Sequence, residues 1–298
     1  MTTSDLSASL RPIGVWTFTD GLSARDAGEA AKRIEALGYS ALWHPETVGR
    51  DPLVHLAHLV GVTDTLLLAT GIANLYNRHP GAMKQARNTL AEQSGGRFIN
   101  GIGVSHKPLV EGLRGLSYDK PVTAMRGYLD AMEASPYQGP EPAEAAPVVL
   151  AALGPKMIAL ARDRSDGAHP YFTTPEHTRQ AREILGPDKL LCVEQKVILA
   201  APAEQDAARD AALAQVARYG ALPNYRNNWK RLGYTEEQIE AQDPGFVDDL
   251  IVIGDPDAIR ARIAEHYAAG ATHVCIQPVS LKGRPTPDLD VLTALAPE

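Results

Sequence analysis

Cysteine is scarce in this sequence, and so are the long apolar runs that would indicate a membrane protein. The two cysteines, Cys192 and Cys275, are far apart in the chain, and each lies in a strand-like run. No apolar run approaches the ~20 residues that span a bilayer, and residues 1–12 lack the basic and apolar regions of a secretory signal. We therefore expect two buried free thiols in a cytoplasmic protein that has no membrane contact.

An excess of positive charge is also missing. Acidic residues outnumber basic residues by 36 to 29, which gives a formal net charge of -7. No block of basic residues alternates with aromatic residues, so nucleic acid is not an expected partner. The apolar share of 44% is ordinary for a globular protein. The 298 residues suffice for one α/β barrel or for two small domains.

Eight strand-like runs alternate with helical segments along the chain. They are rich in Val, Ile, Leu and Ala without strict alternation, which is typical of a parallel sheet covered by helices. The runs are residues 12–18, 40–44, 66–70, 97–104, 148–152, 166–170, 190–200 and 272–277. Eight such units predict one (β/α)8 barrel domain over residues 1–298. Residues 220–249 break the alternation and predict a helical insertion between the seventh and eighth strands.

The competing architecture is an open, doubly wound sheet. A dinucleotide-binding sheet of that kind needs a Gly-x-Gly-x-x-Gly turn after its first strand, and none is present. The insertion carries three large aromatic residues, Tyr225, Trp229 and Tyr234. Two roles stay open for them, because aromatic side chains could either roof a pocket or pack a small core of the insertion itself.

The carboxyl ends of the predicted strands select the candidate site residues, because the active site of an α/β barrel forms there. We expect a substrate pocket lined by Trp16, Phe18, His44 and His169. His106, after the fourth strand, is a candidate for proton transfer, since the unperturbed pKa of histidine lies near neutrality. Its alternative role is a hydrogen bond to a cofactor.

Metal binding and serine hydrolysis are not indicated. His44, His106 and His169 follow three different strands and do not form a ligand motif, and no His-Glu-x-x-His pattern exists. His55 and His58 are predicted to lie on a solvated helix face. No Gly-x-Ser-x-Gly elbow is present. We therefore expect no metal site.

A phosphate site is predicted where the fifth strand passes into a helix, at Gly154-Pro155-Lys156. The N-terminus of a helix exposes unpaired N–H groups and carries a partial positive charge, which suits an anion. Glycine lets the backbone approach such a ligand closely, and Lys156 could add a charge. A phosphate-bearing cofactor across the barrel mouth fits this arrangement.

Several segments together resemble the luciferase-like monooxygenase superfamily, and within it the branch that uses the deazaflavin coenzyme F420. The resemblance covers nearly the whole chain. Its most specific pieces are ATGIAN at 69–74 with RHP at 78–80, SGGRF at 94–98 leading to GIGV at 101–104, and IGDP at 253–256 followed by GATHV at 270–274. Each piece alone is weak, whereas their order and spacing are specific.

The resemblance implies a barrel whose mouth holds a flavin or deazaflavin, often in a homodimer. It places a non-proline cis peptide bond at Gly71-Ile72, behind the cofactor ring, and an acidic residue near the cofactor at Glu46. It places backbone amides near the cofactor phosphate after the fifth strand. The cofactor-binding residues expected on this basis are Gly71, Ile72, Ala73, Asn74, Val104, Ser105, Gly154, Pro155 and Lys156.

The resemblance further implies an oxidoreductase that transfers a hydride between C5 of F420 and a small organic substrate, with His106 or Glu46 handling the proton. The best-known sugar-phosphate dehydrogenase of this branch has a glutamate at the position of His106 and a histidine at that of Thr47. Its substrate is therefore not carried over to this chain.

Two alternatives stay open at this point. One is a monooxygenase that uses reduced FMN, which would require a flavin reductase as partner. The other is a barrel that binds a ligand without catalysis.

Overall fold

The computed structural model describes residues 6, 8–281 and 287–297. Within them ten strands form one sheet in which every pairing is parallel. The strands are β1 Gly14–Trp16, β2 Ala41–His44, β3 Leu67–Thr70, β4 Ala73–Asn74, β5 Phe98–Gly103, β6 Val148–Leu150, β7 Gly167–Ala168, β8 Leu190–Leu199, β9 Ile251–Gly254 and β10 His273–Pro278. Because β10 pairs with both β1 and β8, the sheet closes. The predicted (β/α)8 barrel is confirmed.

Helices surround the barrel, and several of them begin at a capping side chain. They are α1 Ala24–Ala36, α2 Pro52–Val60, α3 Pro80–Gln93, α4 Pro121–Ala134, α5 Pro155–Arg164, α6 Pro175–Leu185, α7 Gln205–Gly220, α8 Pro223–Arg231, α9 Glu236–Glu240, α10 Pro244–Leu250, α11 Pro256–Ala268 and α12 Leu289–Ala294. The side chains of Ser23, Asp51 and Asp255 accept first-turn amides of α1, α2 and α11, as N-caps do. Among the described residues, no helix is long and apolar enough to cross a bilayer.

Two strands lie outside the simple alternation. The short strand β4 follows β3 and pairs with β5, while β9 adds to the outer half of β8. The sequence pattern predicts neither β9 nor the π-helix at Pro108–Leu113. The predicted sixth strand is reduced to β7, which has two residues, and a side chain at Gly167 would lie 2.2 Å from the Leu190 carbonyl oxygen.

The segment that departs from the alternation is longer than residues 220–249. Helix α7 packs with α8 and α10 in a second core that includes Ala212, Val216, Trp229 and Phe246. The helix that packs against β8 and β10 is α11. We call residues 205–250 the insertion from here on.

Aromatic rings fill the barrel interior. Trp43 stacks on His169 at 4.4 Å between ring centroids and donates a hydrogen bond through Nε1 to Nε2 of His273 at 3.0 Å. Cys192 and Cys275 are free thiols buried in the same interior, as expected. Because this interior is packed, space for a ligand lies at the barrel mouth.

Candidate active site

A cavity of about 600 Å³ lies at the carboxyl ends of the strands. The predicted site residues that line it are Trp16, Phe18, Glu46, Gly71, Ile72, Val104, Ser105, His106, Gly154 and His169. The insertion contributes Arg218, Tyr219, Leu222, Asn224, Tyr225, Asn227 and Arg231. The insertion therefore roofs the mouth. All three aromatic residues named above pack in or against the second core, and Tyr225 also lines the cavity.

One wall of the cavity is an apolar ledge after β3. The peptide bond between Gly71 and Ile72 is cis, as the resemblance implies. Trp16 donates a hydrogen bond through Nε1 to the Gly71 carbonyl oxygen at 2.9 Å. A Cβ at Gly103 would lie 2.4 Å from Cδ1 of Ile72, so only glycine leaves room for the isoleucine side chain. Ala73 and Asn74 are buried in β4 behind this ledge and do not line the cavity.

Glu46 belongs to an ion-pair cluster that we call the Glu46 network, consisting of Glu46, Asp51, Asn74, Asn77 and Arg78. Its carboxylate accepts two hydrogen bonds from the Arg78 guanidinium, both at 2.8 Å. It accepts two more, from the Asn74 backbone amide at 2.6 Å and from Nδ2 of Asn77 at 2.7 Å. Asp51 pairs with the same guanidinium at 2.8 Å. A carboxylate with four donors is suited to fixing the backbone around β4 rather than to exchanging a proton.

His106 stands at the cavity with its ring half-buried. The preceding residue, Ser105, has a φ of 56°, a left-handed conformation that turns the chain after β5 into the cavity. The ring lies 5.7 Å from that of Tyr225, and Asn224 hydrogen-bonds it. Burial lowers the pKa of His106 below its ordinary value, whereas the Asn224 bond opposes that shift. The ring is therefore neutral at neutral pH and able to accept a proton.

His169 lines the cavity and carries a buried ring nitrogen that has no hydrogen-bond partner among the described residues. Its Nδ1 lies 2.8 Å from the Cys192 carbonyl oxygen, which can only accept, so Nδ1 carries the proton. Nε2 is then a lone-pair acceptor, and it has no partner among the described residues. Burial lowers the pKa of His169 to about 4. A ligand that donates a hydrogen bond would satisfy this atom.

The structure does not bring His44 to the cavity. Adjacent side chains of a strand point to opposite faces, and Trp43 occupies the barrel interior, so His44 faces outward toward α2. Its ring lies 4.7 Å from that of His55, which is buried although the sequence predicts a solvated face. His55 lies on the inward face of helix α2, and its Nε2 lies 2.7 Å from Oγ1 of Thr19.

Only part of the predicted phosphate site lies at the cavity. Gly154 lines the cavity, whereas Pro155 and Lys156 are exposed and lie outside it. No side chain caps the first turn of α5. Arg231, which the sequence analysis missed, places its guanidinium 3.5 Å from where a Cβ of Gly154 would be. No local pattern predicts Arg231 at this site, because the insertion brings it back across the mouth.

Beneath the cavity lies a second polar cluster that sequence reasoning also missed. We call it the Lys196 network; it consists of Tyr171, Glu194, Lys196, Tyr219 and Gln277. Nζ of the fully buried Lys196 lies 2.6 Å from the Tyr171 hydroxyl, 2.6 Å from Oε1 of Gln277 and 3.4 Å from Oε1 of Glu194. The Tyr171 and Tyr219 hydroxyls are 2.7 Å apart. Both tyrosines line the cavity, so the network reaches it.

A metal centre is not among the features of residues 8–281 and 287–297. No group of three or more His, Cys, Asp or Glu side chains in that part of the chain could hold a metal ion.

Known proteins similar to this chain share its fold. Rv3520c of Mycobacterium tuberculosis, named as a candidate coenzyme F420-dependent oxidoreductase, is 27% identical over 83% of this chain and 89% of its own length. An F420-dependent secondary alcohol dehydrogenase solved with an F420-acetone adduct has a TM-score of 0.73 and 16% identity, covering 95% of this chain and 96% of its own. An FMN-bound Baeyer-Villiger monooxygenase component of Pseudomonas putida has a TM-score of 0.69 and 16% identity, covering 96% and 97%.

The family described as luciferase-like monooxygenase matches residues 8–273, which is most of the chain. The protein is therefore an enzyme, an oxidoreductase that belongs to the luciferase-like monooxygenase family.

Proposed function

We propose that this enzyme is an F420-dependent oxidoreductase that transfers a hydride between C5 of the deazaflavin and a small organic substrate. The observation that carries the proposal is the presence, in one cavity, of an apolar ledge at Gly71-Ile72 and an anion-binding corner at Gly154 and Arg231. The F420-dependent name of the mycobacterial relative, which matches 83% of this chain, supports the choice of cofactor.

The apolar side of the cavity fits a flat ring system. Trp16, Ile72 and Val104 give it walls without charge. Gly71 leaves no space to spare, since a Cβ there would lie 2.7 Å from Nε1 of Trp16. The unpaired Nε2 of His169 supplies a polar atom that a bound ligand would satisfy.

The opposite corner fits an anionic tail. The uncapped first turn of α5 offers N–H groups and the positive end of the helix dipole. Gly154 removes the side chain that would shield them, and Arg231 and Arg218 add positive charge at the cavity. A phosphate held there would receive backbone hydrogen bonds and a guanidinium together.

When bound, the deazaflavin supplies or accepts the hydride, and the chain's own residues position reactants and exclude water. Gly71 and Ile72 back the ring. Ala73 and Asn74 support the ledge from behind, whereas Glu46 lines the cavity and its backbone amide donates to the Ile72 carbonyl at 3.2 Å. Val104 and Ser105 form the adjoining wall. His106 would exchange a proton at the cavity; its neutral ring accepts one first and can return it in the reverse direction.

A fluorescence titration of the purified protein with F420 and, separately, with FMN tests the proposal. We expect micromolar affinity for F420 and none measurable for FMN. The Arg231→Ala variant should weaken F420 binding about tenfold, which corresponds to about 1.4 kcal/mol, whereas the exposed Arg260→Ala on α11 should not change it. Binding of FMN alone, with oxygen uptake in the presence of a flavin reductase, would overturn the proposal in favour of a monooxygenase.

We also propose that the enzyme is a homodimer, as the resemblance implies. The exposed large hydrophobic side chains of the described residues are Val48, Val54, Leu113 and Leu116. Arg114 donates through Nη2 to the Thr47 carbonyl at 2.7 Å, which ties the two segments that carry most of them. Light scattering of the protein in solution measures the mass directly, and a monomer at micromolar concentration would contradict this proposal.

A further inference from the structure

The Lys196 network has a feature that a purely structural ion pair does not require. Burying an ammonium group costs several kcal/mol unless hydrogen bonds and a counter-charge offset it. The carboxylate of Glu194 is 3.4 Å away, whereas the closest partners of Lys196 are the neutral oxygens of Tyr171 and Gln277 at 2.6 Å. The charge is therefore aimed at a phenol that lines the cavity.

The hydroxyl of Tyr171 has more than one way to satisfy its hydrogen bonds. An ammonium only donates, so the Tyr171 oxygen accepts from Lys196. Its own proton has two acceptors within reach, Oε1 of Gln277 at 2.8 Å and the Tyr219 hydroxyl at 2.7 Å. Burial raises the pKa of Tyr171 well above its usual range, so this proton stays in place at neutral pH.

The acceptor to which the Tyr171 hydroxyl donates decides whether the Tyr219 hydroxyl can donate a hydrogen bond to a ligand or accept one. When Tyr171 donates to Gln277, Tyr219 must donate to Tyr171, and it presents a lone pair. When Tyr171 donates to Tyr219, the proton of Tyr219 is free to point at a ligand. Among the described residues, Tyr171 is the one hydrogen-bond partner of the Tyr219 hydroxyl. Tyr219 can therefore act as a donor in one state and as an acceptor in the other.

We infer that the Tyr219 hydroxyl binds the reacting oxygen of the substrate and exchanges a proton with it, and that the substrate is an uncharged carbonyl compound or its alcohol. This inference rests on the proposed function. A carbonyl oxygen accepts a hydrogen bond and an alcohol can donate one, so the two states of Tyr219 match the two members of that couple. Tyr171 and Lys196 are positioning residues that act through Tyr219.

Two protons move in the reaction: the one at the substrate oxygen is exchanged with Tyr219, whereas His106 would exchange the one that the cofactor gains or loses together with the hydride. Reduction of a carbonyl requires a hydride at carbon, which the proposed cofactor supplies, and a proton at oxygen. The Tyr219 O–H bond breaks as the new O–H bond of the alcohol forms. Tyr219 then takes the proton of Tyr171, and Tyr171 takes one from Lys196, which is left as a neutral amine. Alcohol oxidation follows the same path in reverse.

The aromatic walls of the cavity near Tyr219 disfavour a cationic substrate. The rings of Trp16, Phe18, Tyr171 and Tyr225 surround this part of it. Nζ of Lys196 lies 4.3 Å from the Tyr171 ring centroid and 5.1 Å from that of Tyr219, so these ring faces already receive a cation. A cationic ligand at the same rings would be repelled.

The experiment measures ligand binding to the cofactor-free protein by quenching of tryptophan fluorescence, since Trp16 lines the cavity. The probes are acetophenone and α-methylstyrene, which have the same shape but differ in a C=O against a C=CH2 group. Tyr219→Phe should weaken acetophenone binding about fivefold, the value of one hydrogen bond of about 1 kcal/mol. It should leave α-methylstyrene within about twofold.

Two further variants separate the network from general packing. Tyr171→Phe removes the acceptor that competes for the Tyr219 proton, so acetophenone should bind this variant at least as tightly as the wild type, and α-methylstyrene should stay within about twofold. Tyr234→Phe, in the insertion but bonded to Asp249 away from the cavity, should change neither probe. Equal effects of Tyr219→Phe on both probes, or no binding of acetophenone to the wild type, would overturn the inference. No cofactor is present, so its failure is distinguishable from failure of the F420 titration.

Discussion

Two buried ion-pair networks flank the barrel mouth, and they differ in how fully their charges are satisfied. In the Glu46 network the carboxylate accepts four hydrogen bonds from protein groups. In the Lys196 network the ammonium binds two neutral oxygens more closely than its carboxylate, and the chain of hydroxyls ends at the cavity. The first network has no capacity left for a ligand, whereas the second has.

This difference in hydrogen bonding separates a network that fixes the backbone of the site from a network that can bind a substrate. A saturated ion pair fixes the backbone to which it is bonded, here Asn74 in β4 behind the Ile72 ledge. A network with a spare donor or acceptor at a cavity can bind a substrate oxygen. Chemical type alone would have reversed the assignment, since Glu46 is the residue that the family pattern suggests for proton transfer.

The largest effect is expected at Lys196. The Lys196→Met variant leaves Glu194 buried without its counter-charge, and removing one partner of such a pair costs about 4 kcal/mol. Denaturant unfolding should show this loss. The double variant K196M/E194Q should recover part of it, since the amide oxygen of a glutamine can still accept from the Phe172 amide, which Glu194 binds at 2.8 Å. The exposed Lys32→Met should stay within about 0.5 kcal/mol. A similar loss of unfolding free energy in Lys196→Met and Lys32→Met would contradict the importance of the buried pair.

Acid should destabilise the folded protein because His44 is buried and stays neutral there. Burial lowers the pKa of His44 to about 4, whereas the unfolded value is about 6.5. Between these values the unfolded chain binds a proton that the folded chain does not, so stability is complete above pH 6.5 and falls by about 3 kcal/mol toward pH 4. His44→Phe should flatten this slope of unfolding free energy by about one proton. An unchanged slope would contradict the role of His44.

His106 belongs to neither network. Its replacement tests whether a group outside both networks transfers a proton. The His106→Ala variant should lower turnover with F420 about a hundredfold, the usual value of general acid–base catalysis. Its affinity for F420 should stay within about threefold. Steady-state kinetics together with the fluorescence titration measure both quantities. Unchanged turnover would assign His106 to cofactor contact alone.

The smallest effect is expected at Glu46. The Glu46→Ala variant deprives Arg78 of its bidentate partner, but Asp51 remains paired with it at 2.8 Å. We expect a loss of about 2 kcal/mol in unfolding free energy, less than for Lys196→Met. The exposed Glu29→Ala serves as control. A loss larger than that of Lys196→Met would invert the comparison.

The barrel was predictable because its signal is local. Most strands and helices show their own apolar pattern, and several helices also begin at a capping side chain, such as Asp51 before α2. The ledge at Gly71-Ile72 was predictable for a different reason, since the family resemblance implies it, and that resemblance rests on the order and spacing of several segments along the chain.

The roof and floor of the cavity were not predictable in the same way. Tyr219 and Arg231 reach the cavity through packing of the insertion over strands far away in sequence. Lys196 ends a polar triplet, residues 194–196, inside an otherwise apolar strand, and its partner Gln277 is 81 residues away. His44 was misplaced because its position at a strand end did not reveal which face of the sheet its side chain takes.

The barrel and the insertion contribute different residues to the cavity. The barrel supplies the ledge and the α5 terminus, whereas residues 205–250 supply Tyr219, Tyr225 and both cavity arginines. A change in the insertion can therefore alter which molecules are accepted while the barrel keeps its half of the site. Such a modular arrangement makes the insertion the natural target for directed evolution of new selectivity on an unchanged scaffold.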